Sequence, residues 1–224
     1  MDAPEPESLS QARQKMVEQQ LRSRDIRDER VIQAIGVVQR HRFVPTDLWD
    51  QAYSDGPLPI GEGQTISQPY IVALMTQLLQ LEGDEKVLEI GTGSGFQAAV
   101  LSHLAGEIFS VERFPALVHR AIQILRELEI RNVRVFEGDG SQGLASHAPF
   151  GAIVITAAAP QVPRVVLEQL ADGGRLVIPV GTEKGQFLQR WRRVGDAFQR
   201  EQIIPVAFVP LRGKMGWREN EWRT

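Results

Sequence analysis

An α/β fold built on a mostly parallel sheet is what this sequence predicts, and three observations carry that prediction. From Lys86 to Val180, short apolar runs rich in β-branched residues alternate with longer segments of helical periodicity, the pattern of strands joined by helices on both sheet faces. The alternation stops after Val180, where two strand-like runs flank Gly195-Asp196 as a hairpin. The chain has 224 residues, 42% hydrophobic and 24% charged, so one domain of this size buries a core without covalent staples.

Residues 1–8 carry two prolines and three acids and are expected to form a flexible tail. Met16, Val17, Gln20 and Leu21 give a helix over 9–24, and Val31, Ile32, Ile35 and Val38 a second over 28–38, with Asp25 and Asp28 as connector or N-cap residues. About thirty residues from Arg40 to Tyr70 follow, rich in Gly, Pro, Ser and Asp, and a loop of that length inside a compact domain is usually functional. Ile71, Leu74, Met75, Leu78 and Leu79 predict a helix from Pro69 to Leu81, closed by Gly83. The alternating part then reads strand 86–90, helix 97–105, strand 108–111, helix 115–128, strand 133–136, strand 152–156, helix 163–170 and strand 175–180. Residues 186–194 and 197–211 complete the hairpin, whose Arg190-Trp191-Arg192-Arg193 run reads as a solvated edge strand, because neighbours in a strand face opposite sides. The divisions expected are a tail to residue 8, N-terminal helices with a substrate loop over 9–70, a core over 71–211, and a tail over 212–224 of unknown role.

Composition excludes several chemistries. Cysteine is absent, which removes disulfides, zinc–thiolate sites and thiolate nucleophiles. His41, His103, His119 and His147 lack the spacing that sets two imidazoles on one helical face, so no metal site is expected. A net charge of −3 gives no general attraction for nucleic acid or anionic membrane. The opening MDAPEPESLSQARQKM has no apolar run of a signal peptide and nothing later approaches a membrane span; a cytoplasmic monomer is expected, partnered by neither nucleic acid nor membrane.

The strongest local signal is Val87-Leu88-Glu89-Ile90-Gly91-Thr92-Gly93-Ser94-Gly95-Phe96, a strand entering a glycine turn that opens a helix. Gly91, Gly93 and Gly95 let backbone approach a ligand where a Cβ would collide. A dinucleotide fingerprint needs glycine where Phe96 stands, which argues against NAD. The Gly-Thr-Gly-Ser-Gly form instead resembles the turn of S-adenosyl-L-methionine-dependent methyltransferases, which makes Gly91, Thr92, Gly93 and Gly95 candidate cofactor contacts. A tight strand-to-helix turn without a ligand fits the same residues. Two acids raise the weight of the cofactor reading. Glu112 ends the next strand, 17 residues past Gly95, where a carboxylate can accept both ribose hydroxyls. Asp139 ends the strand after that, placed to accept from an adenine amino group, with Gly140 leaving room for the ring. Either acid alone also reads as a solvated loop residue or a cap.

Subclasses of methyl transfer fall away in turn. Cytosine C5 methylation needs the missing cysteine. Adenine amino methylation usually shows Asn/Asp-Pro-Pro-Tyr where this chain has Ile155 to Pro160, and no carboxylate cluster supports a catechol-type magnesium site. Acceptors that need little activation remain, carboxylates above all.

Leu58-Pro59-Ile60-Gly61-Glu62-Gly63-Gln64-Thr65-Ile66-Ser67-Gln68-Pro69-Tyr70 closely resembles the signature of the protein-L-isoaspartate O-methyltransferase family. Arg42 to Pro45, Ala52 to Asp55, Val87 to Phe96, Gly138 to Gly140, Thr156 to Pro160 and Phe208 to Leu211 resemble further blocks in the family's order, covering most of residues 10–211. Phe150-Gly151 departs from it, since the family often has an acid after the aromatic. The resemblance implies a class I, Rossmann-like methyltransferase fold with an N-terminal helical extension, S-adenosyl-L-methionine as cofactor, and isoaspartyl-containing proteins and peptides as substrates. It implies that Ser67 is the active-site serine, that Gln64, Thr65 and Ile66 line the cleft with it, and that Gly91, Glu112, Asp139 and Gly140 hold the cofactor. Because a carboxylate is ionised at pH 7, Ser67 fits as a hydroxyl donor that orients it, while local rules equally allow a serine capping the helix that begins near Pro69. A methyltransferase of the same fold acting on RNA or a small molecule, and a silent binding module, are the rival readings.

Overall fold

The computed structural model describes residues 5–218 and 220–222. Helix α1 (Glu7–Met16) runs on as a π-helical stretch over Val17–Arg22, then α2 (Glu29–Val37) starts from Asp28, whose side chain accepts from the Arg30 amide. Of the expected tail, residues 1–4 lie outside the described residues, Glu5 pairs with Arg13 at 2.6 Å, and Glu7 opens α1.

The segment read as one long loop is not featureless. Two 3-10 turns (Arg40–Phe43 and Thr46–Gln51) lead into a hairpin of β1 (Leu58–Gly61) and β2 (Gln64–Ile66). Its two-residue turn puts Glu62 at φ 53° and Gly63 at φ 66°, the left-handed pair that matches strand twist in tight hairpins. Helix α3 (Pro69–Leu79) opens on Pro69, whose missing N–H costs nothing there, and ends earlier than expected because Gln80 takes the left-handed conformation and turns Leu81 into the core.

The main sheet contains β3 (Lys86–Ile90), β4 (Glu107–Glu112), β5 (Val133–Glu137), β6 (Phe150–Ile155), β7 (Leu170–Thr182), β8 (Gly185–Val194) and β9 (Ala197–Val206), in the spatial order β5-β4-β3-β6-β7-β8-β9. The first five are parallel; β8 and β9 are antiparallel additions. Thus β8 is an inner strand and β9 the edge, contrary to the edge expected for the arginine-rich run. Those arginines are used within the chain: Arg190 pairs with Glu201 at 2.5 Å and Arg193 donates to the Leu170 carbonyl at 2.7 Å.

Helices α4 (Phe96–Leu101) and α5 (Pro115–Glu127) cover one face together with α1–α3, burying Leu101, Leu117 and Ile124 against Val87, Ile108 and Val154. The other face carries α6 (Arg164–Leu167) and a second cluster around Leu88, Ile153 and Leu176. The helix expected over 163–170 is this short because Leu170 already pairs with Phe150 in β7.

Candidate active site

The chain runs β3, β4, β5 toward one edge and returns to β6 on the far side of β3, so a cleft opens above the carboxyl end of β3, where α/β sheets bind ligands. It has two lobes that share Gln64, Gly91, Glu112 and Ala157. Thr65, Ile66, Ser67, Thr92, Gly93 and Gln97 wall the first together with Met75 and Phe96; Ile90, Val111, Phe114, Gly140 and Leu211 make the second a slot that Arg113 and Arg212 also border.

Glu112 sits where the lobes meet and is 6% exposed. Its Oε1 accepts from the amides of Arg113 (2.8 Å) and Phe114 (3.0 Å), and its Oε2 from Gly93 (2.9 Å). Those three bonds fix the carboxylate and tie it to the glycine turn, and Oε2 keeps an acceptor position. Gly91 has φ 97°, and a Cβ there would lie 2.4 Å from Thr156 Oγ1, the hydroxyl that donates to the Gly91 carbonyl at 2.6 Å. At Gly140 a Cβ would lie 2.6 Å from Ile90 Cγ2, so only glycine keeps the slot open. A first lobe that carries hydroxyls and the Gln97 amide, a carboxylate at the waist and a slot walled by Ile90, Val111 and Leu211 suit the amino-acid, ribose and adenine parts of S-adenosyl-L-methionine.

Two expected contacts stand elsewhere. Gly95 faces away from the cleft, its Cβ position 3.3 Å from Ala121 Cβ, so it serves the packing of α4 against α5. Asp139 caps the turn that follows it and holds the C-terminal segment: Oδ1 accepts from the Ser141 amide (3.0 Å) and hydroxyl (2.6 Å), and Oδ2 from the Lys214 amide (2.8 Å). Burial acts to raise its pKa, but the Lys214 and Ser141 hydrogen bonds outweigh it and hold the carboxyl below the usual range. Gln142 Nε2 is a fourth donor, to Oδ2 at 3.4 Å, and an adenine amino group at this carboxylate would take the place of that long bond. The segment itself folds back, with the Trp217 amide donating to the Leu211 carbonyl at 2.8 Å and the rings of Trp217 and Trp222 edge to face at 5.3 Å.

Ser67 lies between the first lobe and an outer trough floored by Ile71, Pro205, Val206 and Phe208, a void of about 450 Å³. Past Thr65 and Val209 the trough continues into a second void of about 530 Å³ that adds Glu62, Arg113, Arg212 and Trp222. The N-cap of α3 is Gln68, and no side chain caps that helix. Ser67 is therefore not the cap that local rules allowed. The segment before α3 is held by Asp55, which pairs with Arg24 and accepts from Gln68 Nε2 at 2.7 Å, and by Tyr70, whose hydroxyl donates to Asp25 at 2.8 Å. Fully buried Arg40 anchors the preceding loop through the Ala52 carbonyl at 2.8 Å. Sequence reading gave no role to Arg40, Gln97, Thr156 or Val209. Thr156 and Val209 stood in quoted motif blocks; Arg40 has no such sign, since the charged residue beside Phe43-Val44 is Arg42.

Fold and cleft together define a class I S-adenosyl-L-methionine-dependent methyltransferase. The family model described as "Protein-L-isoaspartate(D-aspartate) O-methyltransferase (PCMT)" matches residues 11–216. A protein-L-isoaspartate O-methyltransferase of Syntrophotalea carbinolica is 54% identical over 209 residues, covering 93% of this chain and 96% of that one. One from Methanoculleus marisnigri is 49% identical, covering 96% and 97%. A solved protein-L-isoaspartate O-methyltransferase superposes with a TM-score of 0.82 at 26% identity, over 91% of this chain and 67% of the other. A Plasmodium falciparum structure assigned to the same activity, in complex with S-adenosyl-L-homocysteine, gives 0.77 at 21% identity, over 91% and 98%. This chain belongs to the protein-L-isoaspartate O-methyltransferase family.

Proposed function

We propose that this enzyme methylates the free α-carboxylate of L-isoaspartyl residues in damaged proteins and peptides, and that Ser67 orients that carboxylate. The observation that carries the reading is the place of Ser67, whose hydroxyl has no hydrogen-bond partner among the described residues and which stands where the cofactor lobe opens into a trough extending on both sides. A peptide occupies such a trough with its chain continuing in both directions, whereas a small acceptor leaves most of it empty.

When bound, the cofactor supplies an activated methyl group on a sulfonium. The acceptor carboxylate is already ionised at pH 7, so the cleft needs no strong base. Ser67 donates a hydrogen bond to one carboxylate oxygen and leaves the other facing the first lobe, with Thr65 and Val209, which line both lobe and trough, on either side. Glu112, fixed by the Gly93 amide, holds the cofactor end. The ester that leaves the cleft then closes without the enzyme: the neighbouring main-chain nitrogen attacks the ester carbonyl, methanol departs, and the succinimide can hydrolyse to ordinary aspartate.

The proposal takes the working unit to be a monomer. The proposal also takes the enzyme to be cytoplasmic, metal-independent and indifferent to nucleic acid. The test is methyl transfer from labelled S-adenosyl-L-methionine to an isoaspartyl peptide, its aspartyl twin and bulk RNA, with and without chelator. The isoaspartyl peptide is methylated about 100-fold faster than its twin, because the two carboxylates differ in depth by about 1 Å. Comparable rates on the twins, or transfer to RNA, overturn the reading.

A further inference from the structure

Ser67 depends on its neighbours for its position, since it stands in the short link between β2 and α3 and its hydroxyl has no hydrogen-bond partner among the described residues. The residue after it is held at both ends. The Gln68 carbonyl accepts from the Val72 amide at 3.1 Å, which fixes it to α3, and its side-chain Nε2 donates to Asp55 Oδ1 at 2.7 Å. The other oxygen of the Asp55 carboxylate pairs with Arg24, whose guanidinium also lies 4.6 Å from the centre of the Tyr70 ring. Asp55 is itself set in a secured turn: Gln20 Nε2 donates to the Tyr53 carbonyl at 2.8 Å, Arg40 Nε to the Ala52 carbonyl at 2.8 Å and the Gly56 amide to the Ser54 carbonyl at 2.9 Å. One carboxylate therefore joins the N-terminal helices to the backbone one residue beyond the serine that faces the acceptor.

We propose that Asp55 is a positioning residue for methyl transfer, acting through Gln68 to fix the depth of Ser67 and with it the choice between an isoaspartyl carboxylate and an aspartyl one. The inference rests on the acceptor reading of Ser67 given above.

Position, and not support of the fold, is what this carboxylate controls. The Arg24 and Asp55 side chains are 38% and 32% exposed, and an ion pair that open to solvent adds little to stability. Rate depends on placement far more steeply. A displacement of about 1 Å costs about 100-fold, so a serine loosened by about half of that loses about tenfold. The pairing also needs a carboxylate in particular, because both partners are donors and each takes one oxygen. An asparagine there has one oxygen to offer and sets its amide against the second donor.

The experiment is steady-state methyl transfer by the whole enzyme to an isoaspartyl peptide and its aspartyl twin, for wild type, Asp55→Ala, Asp55→Asn, Gln68→Glu and the double variant Asp55→Asn with Gln68→Glu. The ratio of the two rates does not depend on how much of the protein is folded, so a merely structural defect leaves it unchanged. Asp55→Ala lowers kcat on the isoaspartyl peptide about tenfold and cuts the ratio from about 100 to about 10, while calorimetric affinity for S-adenosyl-L-homocysteine stays within about twofold of wild type. Asp55→Asn sets donor against donor and Gln68→Glu sets carboxylate against carboxylate, so each single variant loses a similar amount. Together they rebuild the bond with its polarity reversed: the new amide donates to the new carboxylate while the remaining amide oxygen keeps Arg24, and the ratio returns to within about threefold of wild type. Gln68 lines the trough, so the charge added there raises KM for both twins alike and drops out of their ratio. A wild type that prefers the isoaspartyl peptide beside a folded Asp55→Ala with the same kcat and ratio overturns this inference and leaves the acceptor reading standing; a wild type without preference overturns both. A double variant no better than its parents also overturns it, since Asp55 then does not act through Gln68. Should Asp55→Ala fail to fold, the polarity reversal decides.

Discussion

Replacing Glu112 by alanine removes the group at the waist of the cleft, and the consequences divide into two parts. Oε1 already accepts two amides and Oε2 one, so one ribose hydroxyl finds an open acceptor position on Oε2 while the other must share Oε1 with Arg113 and Phe114. The unshared bond to a charged oxygen is worth about 1.5–3 kcal/mol, and the shared one less. Glu112→Ala should therefore weaken S-adenosyl-L-homocysteine binding by about 10- to 150-fold. Loss of the bonds to Gly93, Arg113 and Phe114 also loosens the turn and the start of α5, but all three residues are at least partly exposed and their amides can take water, so folding stability should fall by about 1–3 kcal/mol. Calorimetric titration gives the affinity and denaturant unfolding the stability. Glu112→Gln keeps one acceptor oxygen and should lie between the two. A folded Glu112→Ala protein with wild-type affinity would falsify the placement of the ribose beside this carboxylate.

Ser67→Ala should lower the turnover of an isoaspartyl peptide by about 10- to 100-fold at saturating cofactor, the loss of one charge-assisted hydrogen bond, with cofactor affinity and unfolding midpoint unchanged because the side chain caps nothing; full turnover in steady-state assays would remove Ser67 from the reaction. In Gly91→Ala the new Cβ meets Thr156 Oγ1 and the backbone must keep a left-handed φ, so urea unfolding should show a loss of about 1–3 kcal/mol together with weaker cofactor binding; adding Thr156→Ser, which keeps the hydroxyl, should not rescue it.

Much of this architecture can be read from residue order, and what cannot has identifiable causes. Val87 to Phe96 is legible because a strand, a glycine turn and a helix each carry their own signal within ten residues. The β1–β2 hairpin is hidden because strands of four and three residues show too little alternation to stand out from a Gly- and Pro-rich stretch. Leu170 looks helical by its neighbours, yet pairing with Phe150 outweighs local propensity and shortens α6. The inner place of β8 follows from two tight turns, Thr182 to Gly185 and Val194 to Ala197; the second is marked by Gly195-Asp196, and a β7 read as ending at Val180 hides the first. Within the cleft, Glu112 follows from its position at a strand end. Asp139 has the same kind of position and a different occupation, because Lys214, 75 residues further along, supplies the competing amide. Ser67 and Gln68 differ by a single residue in which one opens α3, and that is decided by backbone angles.

The two voids of the trough share Thr65 and Val209 near Ser67, so an acceptor that fills both enters as an extended stretch with its neighbours on either side drawn into them. A stretch packed inside a stable helix or sheet cannot do so until it detaches. For a damaged protein, the frequency with which the affected segment comes loose then limits how often repair can begin, and a site in a stiff core has to wait for a rare opening while one in a surface loop is served at once. The enzyme in this way surveys mobility as well as chemistry.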